Sequence, residues 1–354
     1  MSTYPRINIH LATITGNTRA MVSACQEAGV SPAGVTKLAC AYPQIGQAIL
    51  DGGISLLADS RINNLKKLKP LHAKTLLLRL PAISEADDVV RYADISLNSE
   101  SATLKALSEA ALRHNTIHQV IAMHDLGDLR EGAYYREETL ALCREAMALP
   151  GIELVGLGTN LACYGGVEPT TENQSRLASL AQEIETEHGI TLRYLSGASS
   201  AGLGLMLNNQ LPDAINQLRL GASLLMGIGL NDEPVPGTRQ DTFSLDTEII
   251  EIKCKPSVPE ASTALDAFGN KPEFVDRGIR RRAICAIGKQ DVDPNQLTPR
   301  DSKIIIIGGS SDHLIVDIDD CDTDYRIGST LTFDLSYSGV LQCMTSEYVN
   351  KHFI

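Results

Sequence analysis

The chain lacks several features that mark whole classes of protein. No stretch approaches the roughly 18 apolar residues of a transmembrane helix, and the start, MSTYPRINIHLA, lacks the basic end and apolar core of a signal peptide. The eight cysteines form no CxxC pair, a spread that indicates reduced, mostly buried thiols better than a disulfide framework or a zinc site. We therefore expect a cytoplasmic protein without a metal site.

Positive charge is also scarce. The 354 residues include 31 Lys and Arg against 43 Asp and Glu, which gives a net charge of −12. Nucleic acids and anionic membrane surfaces need basic patches, so neither is an expected partner. The densest basic cluster, RGIRRR (277–282), is typical of a solvated turn that leads into a strand. The 43% of hydrophobic residues can bury the core of one large domain or two ordinary ones.

Short apolar runs alternate with helical patterns over most of the chain. The strand-like runs are 35–40, 54–60, 74–81, 95–99, 118–127, 152–160, 191–199 and 216–222. Eight strands separated by amphipathic helices over about 190 residues predict an α/β fold, a (β/α)8 TIM-type barrel. A doubly wound open sheet is the alternative. It more often has five or six strands, and no GxGxxG follows the first strand here.

The pattern changes after about residue 235. The helical period fades, and β-type runs such as LDTEIIEIKCK, KIIIIGG and STLTFDLS follow, separated by Pro, Gly and Asp. The sequence thus predicts two domains, a barrel over residues 1–235 and a C-terminal all-β domain over residues 236–354. An early strand at residues 6–11 could belong to either.

Polar residues cluster where barrel strands end, which is where barrels of this kind carry their chemistry. Lys37 is predicted to lie on strand one, where a buried ammonium needs a specific reason. The other polar residues at predicted strand ends are Asp125, Asp128, Arg130, Asn160, Ser199, Ser200 and Arg219. The Gly- and Ser-rich turns after strands seven and eight are typical phosphate sites. A lysine, an anion site and a partner for a ring nitrogen together indicate pyridoxal phosphate.

Several segments resemble the alanine racemase family of fold-type III pyridoxal-phosphate enzymes, over nearly the full length. DLGDLR resembles the family's D-x-G-x-G-R, SSAG its N-S-A-G, RLG its R-P-G, and SDHLIVD its M-D-Q-L-M-V-D. LADSRINNL, DLGDLREG, GTNLACYGG, DAFGNKP and AIGKQDVDP are similar to the ornithine racemase branch. The resemblance implies a barrel followed by a β domain, and a homodimer whose sites are shared between subunits.

The resemblance also implies residue roles. Lys37 would join the cofactor and move a proton at Cα, Arg130 would contact the substrate carboxylate, and Arg219 would face the ring nitrogen. Asn160 stands where the family has a histidine that stacks on the ring. The remaining cofactor contacts would come from Ser199, Ser200, Gly221 and Ala222. Tyr42, one residue out of register, and Tyr348 are both candidates to contact the phosphate.

Racemisation needs a second proton carrier on the opposite face of Cα. Phe268 stands near the family's tyrosine and cannot titrate. Asp266, read as lying two residues back on the same strand face, is the preferred candidate. Cys163 and Tyr164 are the alternatives.

The branch resemblance implies a basic substrate, ornithine or lysine. Ser311 replaces a methionine and would leave room for a longer chain, and a carboxylate such as Asp312 could pair with its terminal ammonium. Lys289, in place of a tyrosine, opposes this unless an aspartate neutralises it. The alternatives are an alanine or broad-specificity racemase, a non-catalytic cofactor carrier, and an aldolase or decarboxylase. The β domain of more than 100 residues argues against the carrier.

Overall fold

The computed structural model describes residues 4–261, 264–266 and 268–354, which form two compact units. The barrel unit is Leu11–Gln240, and the second unit joins the N-terminal segment ending at His10 to Asp241–Ile354. The early strand β1 (Arg6–Ile9) belongs to the second unit, because it pairs antiparallel with the strand that begins at Phe243. The structure therefore divides the chain after Gln240, a few residues beyond the predicted boundary at 235.

The barrel unit is a closed ring of eight parallel strands. The strands are β2 (Ser31–Val35), β3 (Leu56–Asp59), β4 (Lys74–Leu77), β5 (Ile95–Asn98), β6 (His118–Met123), β7 (Ile152–Gly158), β8 (Tyr194–Ser199) and β9 (Gln217–Leu220). Pairing of β9 with β2 closes the ring. The (β/α)8 prediction is confirmed, and an open doubly wound sheet is excluded.

Helices surround the ring in the order expected for this fold. They are α1 (Leu11–Glu27), α2 (Pro43–Asp51), α3 (Ile62–Leu68), α4 (Ala86–Tyr92), α5 (Ser101–Arg113), α6 (Arg136–Ala148), α7 (Thr171–His188), α8 (Leu203–Leu207) and α9 (Ala222–Leu225). The longest, α7, begins with a capping box: Thr170 and Asn173 each bind the other's backbone N–H. Its predicted stop is also present, because Gly189 ends the helix in the left-handed conformation.

One hydrophobic cluster of the described residues has members on six of the barrel strands. Its members include Ala33 with Val35 on β2 and Ile121 with Met123 on β6, pairs two positions apart. Residues with this spacing point to the same face of a strand. The cluster is a packed core, so polar chemistry is confined to the strand ends.

The first barrel strand ends before Lys37, so the prediction that this lysine lies on the strand is wrong. Thr36 N donates to Ala58 O at 2.9 Å beside the end of β2, and Ala39 N then donates back to Thr36 O at 2.9 Å. Lys37–Ala39 form a 3-10 turn. The apolar run extended the predicted strand because Leu38 and Ala39 are buried inside the turn as well.

The second unit is mostly antiparallel β-sheet. Its further strands are β10 (Phe243–Pro256), β11 (Ile279–Cys285), β12 (Leu297–Pro299), β13 (Ile305–Gly309), β14 (Leu314–Asp317), β15 (Thr330–Leu335) and β16 (Asn350–Phe353). Six of them follow the order β12-β15-β10-β11-β14-β13, and β1 pairs with both β10 and β16.

The expectation of an all-β second domain needs one correction, because helix α10 (Tyr337–Thr345) lies within it. Ser336 starts this helix: its Oγ accepts a hydrogen bond from Gly339 N at 3.1 Å. Val340, Cys343 and Met344 are buried, which gives the helix one apolar face. The short edge strands β12 and β16 also escaped prediction, since three or four residues show too little alternation to be recognised.

Candidate active site

Lys37 lies directly past the carboxyl end of β2, the edge at which this fold places reactive groups. Its side chain is exposed, and its ammonium forms no hydrogen bond or ion pair with any described residue. The ammonium of Lys37 therefore reaches solvent. An accessible, unpaired amine is what nucleophilic addition to a carbonyl requires.

A buried carboxylate holds the backbone beside Lys37. Asp59, the last residue of β3, is fully buried, and Thr36 Oγ1 donates to its Oδ2 at 2.7 Å. The other oxygen accepts from Arg61 N at 2.9 Å and Asn64 Nδ2 at 3.0 Å. Burial raises the pKa of Asp59, and these hydrogen bonds offset only part of that rise. The three donors explain why a carboxylate is tolerated here.

A polar cradle forms where β8 and β9 end. β8 leads into the 3-10 turn Ser200–Gly202, and β9 leads through Gly221 into α9. Ser200 Oγ lies 3.1 Å from Ser223 Oγ and accepts from Gly221 N at 3.2 Å and Ser223 N at 3.3 Å. Ser199 caps the turn by accepting from Ala201 N at 3.3 Å.

The cradle suits an anion. The first amides of a helix have no acceptor within the helix, and Ser200 and Ala222 are the first residues of the two turns. Adjacent backbone N–H groups with hydroxyls beside them bind phosphate well. Ser223 is part of this cluster, but it was not predicted from the sequence, because the segment that resembles R-P-G ends before it.

Arg219 is a buried guanidinium held from three sides. It is 3% exposed, and its Nη2 donates to Thr159 O at 2.6 Å and Asn160 Oδ1 at 2.5 Å. Its Nη1 donates to the Ser196 hydroxyl. Burial lowers the pKa of Arg219 to about 10, so it stays protonated at neutral pH. Its Nε–H finds no acceptor in the described part of the chain and can donate to a ring nitrogen.

Arg130 is joined to Arg219 through two side chains. Arg130 Nε and Nη2 both donate to the carboxylate of Glu131, the second at 2.6 Å. Asn160 Nδ2 donates to the same carboxylate, and Asn160 Oδ1 accepts from Arg219. The order is Arg219, Asn160, Glu131, Arg130, so the structure brings three predicted site residues into one hydrogen-bonded chain. Glu131 was missed from the sequence, where it reads as an ordinary surface charge beside Arg130.

The loop after β7 is held by Asp128. Its carboxylate accepts from the backbone N–H groups of Cys163 at 3.3 Å, Tyr164 at 2.9 Å and Val167 at 3.1 Å. Burial raises the pKa of Asp128, but these hydrogen bonds outweigh burial and the net pKa is lowered. The loop is thereby fixed while the side chains of Cys163 and Tyr164 stay exposed. Both are accessible to a proton donor or acceptor in solvent.

Asp266 lies in a turn of the second unit, not on the predicted strand. Its Oδ1 accepts from Phe268 N at 2.9 Å and Asn270 N at 2.8 Å, and its Oδ2 lies 3.4 Å from Lys289 Nζ. The hydrogen bonds from these amides, and Lys289, lower the pKa of Asp266. It is therefore ionised at neutral pH and a weaker base than an ordinary aspartate. Its role as second proton carrier stays a prediction.

The same turn neutralises Lys289. Its ammonium pairs with Asp266 and lies 4.6 Å from the centre of the Phe268 ring. The cation that would repel a basic substrate therefore already has partners within its own unit.

Ser311 and Asp312 occupy the exposed turn between β13 and β14. Ser311 Oγ donates to Asp312 Oδ2 at 2.6 Å, and Ser311 O accepts from Gln290 N at 3.1 Å. Of the two tyrosine candidates, Tyr42 precedes α2 and is half-buried, whereas Tyr348 is exposed in the second unit. The substrate and phosphate roles of these residues stay predictions.

Two kinds of site are absent from the described residues. No group of three or more His, Cys, Asp or Glu side chains there could hold a metal ion. Within the same residues, no helix has the length and apolar character needed to span a bilayer.

The fold and these side chains define a class: TIM-type barrel proteins with a free lysine and a buried arginine at the ends of neighbouring strands. The family profile described as "Alanine racemase, N-terminal domain" matches residues 9–228. The chain therefore belongs to the alanine racemase family.

Two named relatives match over essentially the whole chain. Ornithine racemase of Acetoanaerobium sticklandii is 45% identical over 352 residues, covering 99% of this chain and 100% of the relative. Lysine racemase of Thermotoga maritima is 37% identical over 353 residues, covering 98% of each.

Solved structures support the fold at lower identity. Alanine racemase from Bacillus anthracis, with bound L-Ala-P, gives a TM-score of 0.77 at 17% identity, covering 100% of this chain and 96% of that one. Alanine racemase from Bartonella henselae, with covalently bound pyridoxal phosphate, gives 0.76 at 16% identity and covers 100% of both chains.

Proposed function

We propose that this protein is a pyridoxal-phosphate-dependent racemase of a basic amino acid, with ornithine or lysine preferred. The observation that carries the proposal is that a free amine and a buried guanidinium lie at the ends of neighbouring strands. Lys37 follows β2, Arg219 lies on the adjacent β9, and the two strands pair with Ala33 opposite Arg219. The two whole-length relatives, named ornithine and lysine racemase, support the substrate class.

The side chains fit pyridoxal phosphate. Lys37 would join its aldehyde, and the cradle around Ser200, Gly221 and Ala222 would hold its phosphate. The unpartnered Nε–H of Arg219 would donate to its ring nitrogen. When bound, the cofactor supplies an electron-withdrawing ring that acidifies the Cα–H bond of an attached amino acid. Because a guanidinium does not release its proton at neutral pH, Arg219 would keep that ring nitrogen unprotonated, which limits side reactions.

The protein's own groups would move the proton. Lys37, as an amine, would take it from one face of Cα and return it there in the reverse direction. Asp266, Cys163 and Tyr164 are the candidates for the opposite face. Arg130 would hold the substrate carboxylate, so that Cα stays between the two proton carriers.

Ornithine and lysine should each be racemised at least about tenfold more efficiently than alanine, a difference of about 1.4 kcal/mol in transition-state binding. The neutralisation of Lys289 by Asp266 removes the main objection to a cationic substrate. The check is kcat/KM for L-ornithine, L-lysine and L-alanine, with the products resolved by chiral chromatography. A kcat/KM for L-alanine equal to the values for L-ornithine and L-lysine would reject the proposed substrate and leave the racemase assignment standing. Unchanged enantiomers with all three, and with every other L-amino acid, would indicate a cofactor carrier.

We also propose a homodimer with sites shared between subunits, in the cytoplasm. The family resemblance supports the dimer, and eight free cysteines support a reducing compartment. The basic cluster at residues 277–282 is a poor binding surface for nucleic acid, because its Arg280 already pairs with Asp317 at 2.8 Å and with Asp319 at 3.2 Å. Sedimentation velocity should give twice the chain mass of 38.1 kDa. A fully active monomer would reject shared sites.

A further inference from the structure

We infer that Glu131 is a positioning residue that holds the substrate-carboxylate arginine, Arg130, and, through Asn160, the cofactor-ring arginine, Arg219. This inference rests on the proposed function for the roles of the two arginines. The contacts themselves lie entirely within the barrel unit.

The first step is the number of donors that meet one carboxylate. Glu131 accepts from Arg130 Nε, Arg130 Nη2 and Asn160 Nδ2. The contact with Arg130 is bidentate and uses the side fork of the guanidinium, Nε with Nη2. Nη1 and the outer hydrogen of Nη2 have no partner among the described residues, and they form a second fork that suits a substrate carboxylate. Glu131 thereby determines which edge of the Arg130 guanidinium is available to the substrate carboxylate.

The second step concerns Asn160. Its amide oxygen accepts from Arg219 and its amide nitrogen donates to Glu131. Since the two ends of an amide have opposite hydrogen-bonding character, an acceptor at position 131 selects the orientation in which the oxygen faces Arg219. Glu131 thus acts on Arg219 without touching it.

The third step is charge. Two guanidinium groups share this chain, Arg219 is buried, and Glu131 is the anion hydrogen-bonded between them. The side chain of Glu131 is 15% exposed, so its charge is only partly screened by water. It raises the pKa of Arg130 and opposes the effect of burial on Arg219.

The loop leaves Glu131 little freedom to move. Ala133 N donates to Met123 O at 3.1 Å and Asp125 N donates to Ala133 O at 3.0 Å, so the chain returns to the end of β6 just after Glu131. Gly132, at φ +119°, makes this return, and a Cβ there would lie 2.7 Å from Asp125 N. The position of Glu131 is therefore set by the strand end.

Two substitutions separate the two functions. In Glu131→Gln one oxygen can still accept from Asn160, but the new NH2 group faces Arg130 Nε–H, and two donors cannot bond. Arg130 then loses its Nε contact and its anionic partner, while Arg130 Nη2 and Asn160 Nδ2 can both still donate to the remaining oxygen. Glu131→Ala removes both acceptors. Glu131→Asp keeps the charge on a shorter side chain and tests rescue.

The experiment uses the holoenzyme and 5-aminopentanoate, which has the carboxylate and terminal ammonium of ornithine but no α-amino group to react. For Glu131→Gln, KM for L-ornithine and the calorimetric Kd for 5-aminopentanoate should both rise about tenfold, because one charge-assisted hydrogen bond to Arg130 is lost. Its kcat should stay within about threefold of the wild-type value. Glu131→Ala should in addition weaken pyridoxal phosphate binding about tenfold, measured by equilibrium dialysis. Glu131→Asp should recover part of both losses.

Glu137→Gln is the matched control. Glu137 also follows an arginine in sequence and pairs with it, at 3.2 Å, but its side chain is 76% exposed. It should change neither constant. Thermal melting of all variants should agree within a few degrees, since a purely structural role would lower the melting temperature and leave KM and Kd alone.

Unchanged KM and Kd in Glu131→Gln, together with unchanged cofactor affinity in Glu131→Ala, would overturn the inference. Failure of the proposed function looks different, because wild-type protein would then fail to racemise any amino acid. In that case the cofactor affinities of wild type and Glu131→Ala, compared by dialysis, still test whether Glu131 acts on Arg219.

Discussion

Lys37→Ala should lower kcat for racemisation by at least about a thousandfold, because one change removes both the attachment point of the cofactor and the proton carrier on one face of Cα. Borohydride treatment of the wild type should leave pyridoxal phosphate covalently bound to Lys37, as peptide mass spectrometry would show. The variant should carry no such adduct.

Lys105→Ala is the control for this prediction. Lys105 lies on α5, is also exposed and pairs with Glu145 at 2.8 Å, so its loss removes an exposed lysine that has a partner of its own and is not a site candidate. It should retain the adduct and the activity. A borohydride-stable adduct elsewhere in Lys37→Ala would show that another lysine binds the cofactor.

Acid should destabilise the barrel through His118, and His118→Gln should remove that sensitivity. His118 begins β6, is 2% exposed and lies 2.8 Å from Ser96 Oγ, which also accepts from Asn98 Nδ2 at 2.9 Å. Burial lowers the pKa of His118 from 6.5 to about 4. The unfolded chain therefore binds this proton at higher pH than the folded chain. The stabilising contribution is complete above about pH 6.5 and is lost as pH falls towards 4.

The size of the effect follows from linkage. Between pH 7.5 and pH 5, wild type should lose about 2 kcal/mol more unfolding free energy than His118→Gln. Urea denaturation at the two pH values measures the difference. His114→Gln, which removes a half-buried histidine paired with Asp87 at 3.0 Å, should lose as much as the wild type. Equal losses in wild type and His118→Gln would show that His118 does not control acid stability.

The sequence was sufficient to predict the barrel, because its information there is local and repeated. Each strand is a short apolar run, each long helix has an amphipathic period, and α7 has both capping signals. The motif matches around Lys37, Arg130, Ser200 and Arg219 likewise depend on short segments. The segment boundaries were predicted less well. The predicted first barrel strand was too long, because Leu38 and Ala39 are buried equally well in the turn that follows β2. Helix α10 was missed because its start depends on a single serine cap.

What the sequence alone determined is therefore the fold class, the family and the candidate residues, all of which depend on residue type and local spacing. The partnerships between distant residues were decided only by the tertiary structure. Glu131 lies far in sequence from Asn160 and Arg219, and Thr36 far from Asp59, yet hydrogen bonds join each set once the barrel closes. A hydrogen bond depends on distances of a few tenths of an ångström and on direction. No local pattern carries that information, because parallel strands bring distant segments side by side only after the whole ring has formed.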